Sequence, residues 1–245
     1  MSRFFTDPSN IGDSHIYLDS KEDINHIKNV LRMKEGDELW VSDSDAWEYG
    51  CVIEEIDRER IILRIEDKQA FAKEPDLKVT LFQGVPKGSK MDDVVRKTTE
   101  LGVSAIVPVF MDRSVVKDTG SYSKKISRMR TIAEQAAKQC RRGMIPEISD
   151  QMSFGEMMGK IGEFDLGIFA YENEEKTTLK DVFKTLESVP RTVAVIIGPE
   201  GGFSDAEAEK LRLSACRSAS LGRTILRTET AGIAALSMIM YELEL

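Results

Sequence analysis

Over residues 1–70 apolar and polar side chains alternate in short runs, the two-residue period of strands buried on one face. These runs predict strands over residues 3–5, 15–18, 38–41, 47–56 and 60–65, with hairpin-type turns at 42–46 and 57–59. One stretch departs from that period. Ile24, Ile27, Val30 and Leu31 are spaced to share one face of a helix over 23–32. A small barrel carrying one helix accommodates the set. Residues 68–76, charged and containing Pro75, read as a domain junction.

From Leu77 the pattern changes to apolar strands separated by helical segments. Strands are predicted over 77–82, 105–109, 165–170, 193–197 and 218–221. Ser89 with Asp92, Thr178 with Asp181, and Ser204 with Glu207 have the spacing of capping boxes at helix starts. Ser123 opens a long amphipathic helix reaching about Arg141, and Thr230 is placed as the cap of a final helix over 231–243. Such alternation predicts an α/β domain with a mainly parallel sheet covered on both faces. The expected organisation is a barrel over residues 1–70 and an α/β domain over 77–245.

Composition narrows the class of function. With 41% hydrophobic and 31% charged residues the chain is a folded globular protein, not a disordered one. No apolar run approaches the ~20 residues needed to span a bilayer, and the short polar N-terminus does not read as a signal peptide. Cys51, Cys140 and Cys216 lie far apart, and His15 and His26 are the only histidines, so neither a disulfide framework nor a metal site is expected. A reducing cytoplasm is the expected location. The net charge of −8 is unevenly spread. Residues 1–76 carry 10 basic and 19 acidic groups, whereas residues 86–146 carry 13 basic and 6 acidic ones, a net of +7. A basic patch of this kind can hold phosphates on an otherwise acidic protein; solvated helix faces are the alternative that charge alone leaves open.

Two segments carry the chemistry. Val193-Ala-Val-Ile-Ile-Gly-Pro-Glu-Gly-Gly-Phe-Ser204 and Ser220-Leu-Gly-Arg-Thr-Ile-Leu-Arg-Thr-Glu-Thr-Ala231 each run from an apolar strand into a glycine-bearing loop. Gly198, Gly201 and Gly222 allow close backbone approach to a ligand, while Leu221, Ile225 and Leu226 supply an apolar floor. Ligand crevices of α/β sheets lie at such strand ends. The first loop has neither the lysine-and-hydroxyl ending of a nucleotide triphosphatase loop nor the G-x-G-x-x-G pattern.

Together these segments resemble the cofactor-binding knot of the SPOUT class of RNA methyltransferases. More narrowly, the chain resembles the ribosomal RNA small subunit methyltransferase E family, which methylates N3 of a uridine in 16S ribosomal RNA. Further matches are Arg3-Phe4-Phe5, the run from His26 to Asp37, Lys87-Gly-Ser-Lys-Met-Asp92, Lys97-Thr-Thr-Glu-Leu-Gly-Val103 and Arg113-Ser-Val-Val-Lys117. Gln139, Arg142 and Pro146 keep the spacing of the family's Gln-Ser-Gly-Arg…Pro segment, although Cys140-Arg141 stands where the family has Ser-Gly.

The resemblance implies a PUA-like β-barrel followed by a trefoil-knotted SPOUT domain, a homodimer, and S-adenosyl-L-methionine as methyl donor. It implies a donor site of Ala170, Ile197, Gly198, Gly201, Leu221, Gly222, Ile225 and Leu226. Candidate contacts to 16S ribosomal RNA, free or within the small ribosomal subunit, are Arg3, His26, Arg32, Lys87, Lys90, Arg113, Lys124, Lys125 and Arg128. Methylation at uracil N3 requires loss of a proton and stabilisation of charge on the flanking carbonyl oxygens, a task suited to a guanidinium. Arg142 is the first candidate, ahead of its neighbour Arg141 by position before Pro146, and Arg227 is the second. Glu200 or Glu229 is placed either to assist deprotonation or to orient the loops. Two other readings remain: a SPOUT enzyme acting on another RNA such as a transfer RNA, and a non-catalytic RNA-binding protein of ribosome assembly.

Overall fold

The computed structural model describes residues 2–71, 74–117, 122–214 and 216–244. The chain forms two compact units, Met1–Glu74 with Ala137–Ile145, and Pro75–Ala136 with Pro146–Leu245. No helix among the described residues is long and apolar enough to cross a membrane.

In the first unit, β1 (Arg3–Phe5), β2 (His15–Leu18), β3 (Glu38–Ser42), β4 (Trp47–Ile56) and β5 (Ile61–Ala70) form a sheet in the order β1-β3-β4-β5-β2. Only the β1–β3 pairing is parallel. Alternation sends Leu39, Val41, Cys51, Ile53, Ile61 and Leu63 into a core shared with Phe4, Ile16 and Leu18. Irregular register at Gly50/Cys51 and Ile53/Glu55 bends the long β4–β5 ribbon. That ribbon runs on to Ala70, through part of the stretch whose charge reads as a junction, because residues 67–70 still pair with the start of β4.

The helical segment starts two residues earlier than its periodicity predicts and is wound differently. Ser20 caps α1 (Lys21–Asn25), which passes into a π-helical turn, His26–Val30. Ile24 and Ile27 enter the core, but Val30, expected on the same face, is exposed. The wider i→i+5 turn rotates it outward. The segment Ala137–Ile145 is tied to this unit by its own contacts. Lys138 pairs with Asp23 at 2.7 Å, and the Ser42 hydroxyl donates to the Gly143 carbonyl.

The second unit alternates strand and helix except at the consecutive short strands β8 and β9: β6 (Lys78–Gly84), α2 (Lys90–Glu100), β7 (Ala105–Phe110), α3 (Ser123–Cys140), β8 (Glu147–Ile148), β9 (Met152–Ser153), α4 (Phe154–Lys160), β10 (Leu166–Ala170), α5 (Leu179–Lys184), β11 (Thr192–Ile197), α6 (Asp205–Leu213), β12 (Cys216–Ala219) and α7 (Thr228–Leu243). The last turn of α3, from Ala137, is grouped with the first unit. Every strand pairing is parallel, and the order is β12-β10-β11-β6-β7-β8, with β9 also on β7. Burial on both faces explains why β7, β10 and β11 are nearly unbroken apolar runs.

Local signals hold in part. Thr178 and Ser204 form reciprocal capping boxes with Asp181 and Glu207. Ser89 makes no side-chain capping bond, because its backbone (φ −99°, ψ 7°) is not in the extended region that aims a cap at the helix. Thr230 is not a cap either. The last helix begins at Thr228, and Arg227 occupies the capping position without a side-chain bond. β12 lies two residues before its predicted span, and the capped helix α4, with Ser153 and Glu156 in a capping box, is an element the apolar pattern does not signal.

Candidate active site

At the carboxyl ends of β10, β11 and β12 the second unit opens a cavity of about 1240 Å³. Three strand-end loops line it, together with the start of α7 and with Lys87 and Lys90 beyond β6. Ala170, Ile197, Gly198, Gly201, Leu221, Gly222, Ile225 and Leu226, picked out from the sequence as a donor site, all lie in this lining. So do Glu200 and Arg227. Parallel topology brings these segments together, since every strand points its carboxyl end the same way.

The glycines shape the wall by contact with protein. A Cβ on Gly202, where φ is +67°, would stand 2.1 Å from Glu172 Oε1. One on Gly201 would meet Arg113 Cβ at 2.8 Å, so the space that Gly201 leaves is filled by Arg113. A Cβ on Gly84 would come within 2.4 Å of the Pro199 nitrogen. The loop after β11 is therefore clamped between the ends of β6 and β7 and a carboxylate after β10. Phe203, buried edge-on against Phe169, anchors its far end. Across the cavity, among the described residues, the backbone N–H groups of Arg223, Thr224, Ile225, Leu226 and Arg227 make no hydrogen bond within the protein. They are donors open to a ligand's acceptors.

At the rim, Lys90 Nζ lies 3.1 Å from Glu200 Oε1 and 3.3 Å from Glu229 Oε2. The hydrogen bond to Glu200 is the main reason that the Lys90 ammonium is held above its ordinary pKa. Burial pushes Glu200 upward, but the Lys90 ammonium and the Lys87 amide outweigh it and hold the carboxyl below its usual range. Glu200 is thus kept ionised and already bonded, which suits an orienting group better than a proton acceptor. Glu174 is likewise held low, first by the Ser218 hydroxyl, and its carboxylate also accepts the Lys176 and Thr177 amides to set the loop after β10.

The model of an RNA methyltransferase domain family matches residues 73–240, and that of an RNA methyltransferase PUA domain matches residues 18–66. The chain is 34% identical to ribosomal RNA small subunit methyltransferase E of Bacillus subtilis, over 100% of this chain and 98% of that one. The chain belongs to the ribosomal RNA small subunit methyltransferase E family. Its fold, a PUA domain and an RNA methyltransferase α/β domain, is that of a Neisseria gonorrhoeae ribosomal RNA small subunit methyltransferase E solved bound to S-adenosyl methionine. That structure superposes with a TM-score of 0.86 at 26% identity, covering 98% of this chain and 97% of that one. A Legionella pneumophila protein in complex with the cofactor SAM is 32% identical, with a TM-score of 0.85 and coverage of 98% and 96%.

Not every residue singled out from the sequence lies in the cavity of this family member. Arg142 is buried in the first unit, where its guanidinium grips Glu74 with Nη2 at 2.8 Å and Nε at 3.2 Å from Oε2. Glu74 also accepts the Gly143 and Met144 amides. Neighbouring Arg141 is exposed and has φ +63°. Arg3 is ion-paired with Glu48. His26 meets the Phe4 ring edge-on, and Arg32 is exposed at positive φ. Arg113 reaches the Gly201 carbonyl and Asp205, and Arg128 pairs with Asp92 at 2.6 Å. Lys124 and Lys125 are exposed on α3, Lys125 over the Tyr122 ring. Burial pushes the Cys51 thiol up to about 12 and raises that of Cys216, so neither is a ready nucleophile. Among the described residues no group of three metal-binding side chains comes together.

Sequence reasoning passed over Glu172, Glu174 and Thr228, all in the lining. Thr228 had a visible signal, standing two residues before the threonine chosen as helix cap. The carboxylates after β10 follow an unremarkable strand and had none.

Proposed function

We propose that this chain is an S-adenosyl-L-methionine-dependent methyltransferase acting on N3 of a uridine in 16S ribosomal RNA. The observation that carries this reading is the cavity at the ends of β10, β11 and β12, with its wall of close-packed glycines and its row of free backbone donors. A donor with an adenine and an amino-acid end fits these features. The amides of residues 223–227 can meet adenine or carboxylate acceptors, and the apolar Leu221, Ile225 and Leu226 can cover a ring face. The acidic Glu172, Glu174 and Glu200 suit a positively charged sulfonium and ammonium. The relatives solved with SAM, at 26% and 32% identity, support the same donor.

When bound, the donor supplies an activated methyl group, leaving as S-adenosylhomocysteine once its S–CH3 bond has given way to N–CH3. The protein must hold the uracil in line and steady the anion left when N3 loses its proton to solvent. Arg227 takes that role in this reading, since this residue belongs to the cavity lining at the mouth of α7. Lys90 keeps Glu200 charged and holds Glu200 and Glu229 in place. Lys124, Lys125 and Arg128 on α3 offer cations to RNA phosphates, and the PUA domain supports RNA as the partner. A homodimer belongs to the same reading, because Met238 and Tyr241 leave an apolar strip exposed on α7. A knotted connection also fits: the chain leaves β12 at the sheet edge, yet α7 packs against β6, β11 and α2 beyond β10.

Arg227→Ala should lower the single-turnover rate about 100- to 1000-fold while SAM affinity changes little, the usual loss for a donor to a developing anion. Arg227→Lys should recover little, since an ammonium lacks the planar fork. Near-normal turnover in Arg227→Ala would remove this arginine from the mechanism.

A further inference from the structure

Gln83 is an amide with no accessible surface, on the central strand β6 between Phe82 and Gly84. Burying an amide is costly unless its hydrogen bonds are made. Its Nε2 donates to Thr228 Oγ1 at 2.8 Å and to the Gly84 carbonyl at 3.1 Å, using both protons. The Thr228 hydroxyl, already accepting from Gln83, donates to the Gly198 carbonyl at 2.6 Å. We propose that Gln83 is a positioning residue that, through Thr228, fixes the Gly198 loop against the first turn of α7 and so sets the shape of the donor cavity. The inference rests on the donor reading given above.

The chain of bonds has a single direction. Gln83 Oε1 is buried without a hydrogen bond, facing Gly232, whose Cβ, if present, would lie 2.7 Å away. Turning the amide over would aim two N–H donors at the bare Cα of Gly232 and set Oε1 against the Gly84 carbonyl oxygen. That alternative leaves one bond, from the Thr228 hydroxyl to Oε1, and gives up those to the Gly84 and Gly198 carbonyls, so the hydroxyl proton of Thr228 stays on Gly198. Three segments far apart in sequence are joined here: the end of β6, the glycine loop and the start of α7. The last two meet again at the rim through Lys90, which bridges Glu200 and Glu229. Gly198 and Thr228 themselves line the cavity, whereas Gln83 does not. Its effect on ligand binding is therefore exerted through the loop.

The test uses full-length protein, with SAM and S-adenosylhomocysteine as calorimetric probes and a thermal melt for each variant. Gln83→Met keeps the length and removes the donor; Thr228→Val removes the hydroxyl; Thr228→Ser retains it. Gln83→Met and Thr228→Val should each weaken SAM binding about tenfold, the equivalent of one hydrogen bond's worth of loop order. Thr228→Ser should bind as the wild type does. The double variant Gln83→Met/Thr228→Val should be no weaker than either single variant, because one break already interrupts the chain. Wild-type affinity in a folded Gln83→Met protein, or independent multiplication of the two losses, would overturn the proposal. If Gln83→Met does not fold, Thr228→Val against Thr228→Ser decides: equal affinities refute it. Failure of the wild-type protein to bind SAM at all would instead refute the donor reading.

Discussion

Replacing Arg142 with alanine separates a structural role from a catalytic one. In the folded chain the guanidinium and the Glu74 carboxylate are each about 6% exposed and joined by two nitrogens. Removing one partner of a buried pair usually costs about 3–5 kcal/mol, because the other charge is stranded. Glu74 would keep the Gly143 and Met144 amides at 2.7 and 3.1 Å, which places the loss near the lower end, about 3 kcal/mol. For a protein of this size that is a fall in Tm of roughly 6–12 °C. Both tryptophans, Trp40 and Trp47, belong to β3 and β4, so fluorescence during urea unfolding reads this unit directly. Arg142→Met combined with Glu74→Gln should recover most of the loss by removing both charges. Single-turnover methylation at a temperature where Arg142→Ala is folded should stay within a few-fold of wild type. A variant with unchanged unfolding but a hundredfold slower reaction would refute this reasoning and return the anion-stabilising role to Arg142.

Gly84→Ala should force the Pro199 backbone away from β6 and weaken SAM binding, with an overpacking cost of about 1–3 kcal/mol; calorimetry on the folded variant showing wild-type affinity would contradict the close approach seen here. Replacing Lys124, Lys125 and Arg128 together should flatten the log–log salt dependence of RNA binding by about 0.7 for each phosphate no longer neutralised, or about 2 in all. An unchanged slope would make this face merely solvated. The Asp165 carboxyl is held low, chiefly by the Arg191 and Thr192 amides. Its stabilising effect should be present above the ordinary aspartate range and lost as pH falls through its depressed folded value. Melts of wild type and Asp165→Asn across that range should converge on acidification; a constant gap would show that the ionised carboxylate is not what stabilises the turn.

Strand positions and the parallel sheet were legible in the sequence because burial on one or both faces writes itself into apolar spacing. The cavity lining was legible for the same reason: glycine loops following apolar strands must lie at strand ends. Tertiary pairing was not. Nothing local distinguishes Arg142, sequestered by Glu74, from Arg227, in the cavity, since both are single arginines whose surroundings come from elsewhere in the chain. The π-helical turn escaped because it shares composition with an ordinary helix, and the misplaced cap at Thr230 arose because threonine is a favoured capping type whereas the actual capping residue, Arg227, is not. Gln83 reads as one polar residue in a strand; its use depends on Thr228 and Gly232, which only the fold brings near.

The central claim is tested most directly by mass-spectrometric mapping of modified nucleotides in 16S ribosomal RNA from cells with the gene, without it, and with an Arg227→Ala copy. The account predicts one uridine carrying an N3 methyl group in the first sample and an unmethylated uridine at that position in the second. The Arg227→Ala enzyme should methylate far more slowly when purified small-subunit RNA or subunits are supplied with SAM. An identical modification pattern with and without the gene, or a methyl group appearing on a transfer RNA instead, would contradict it.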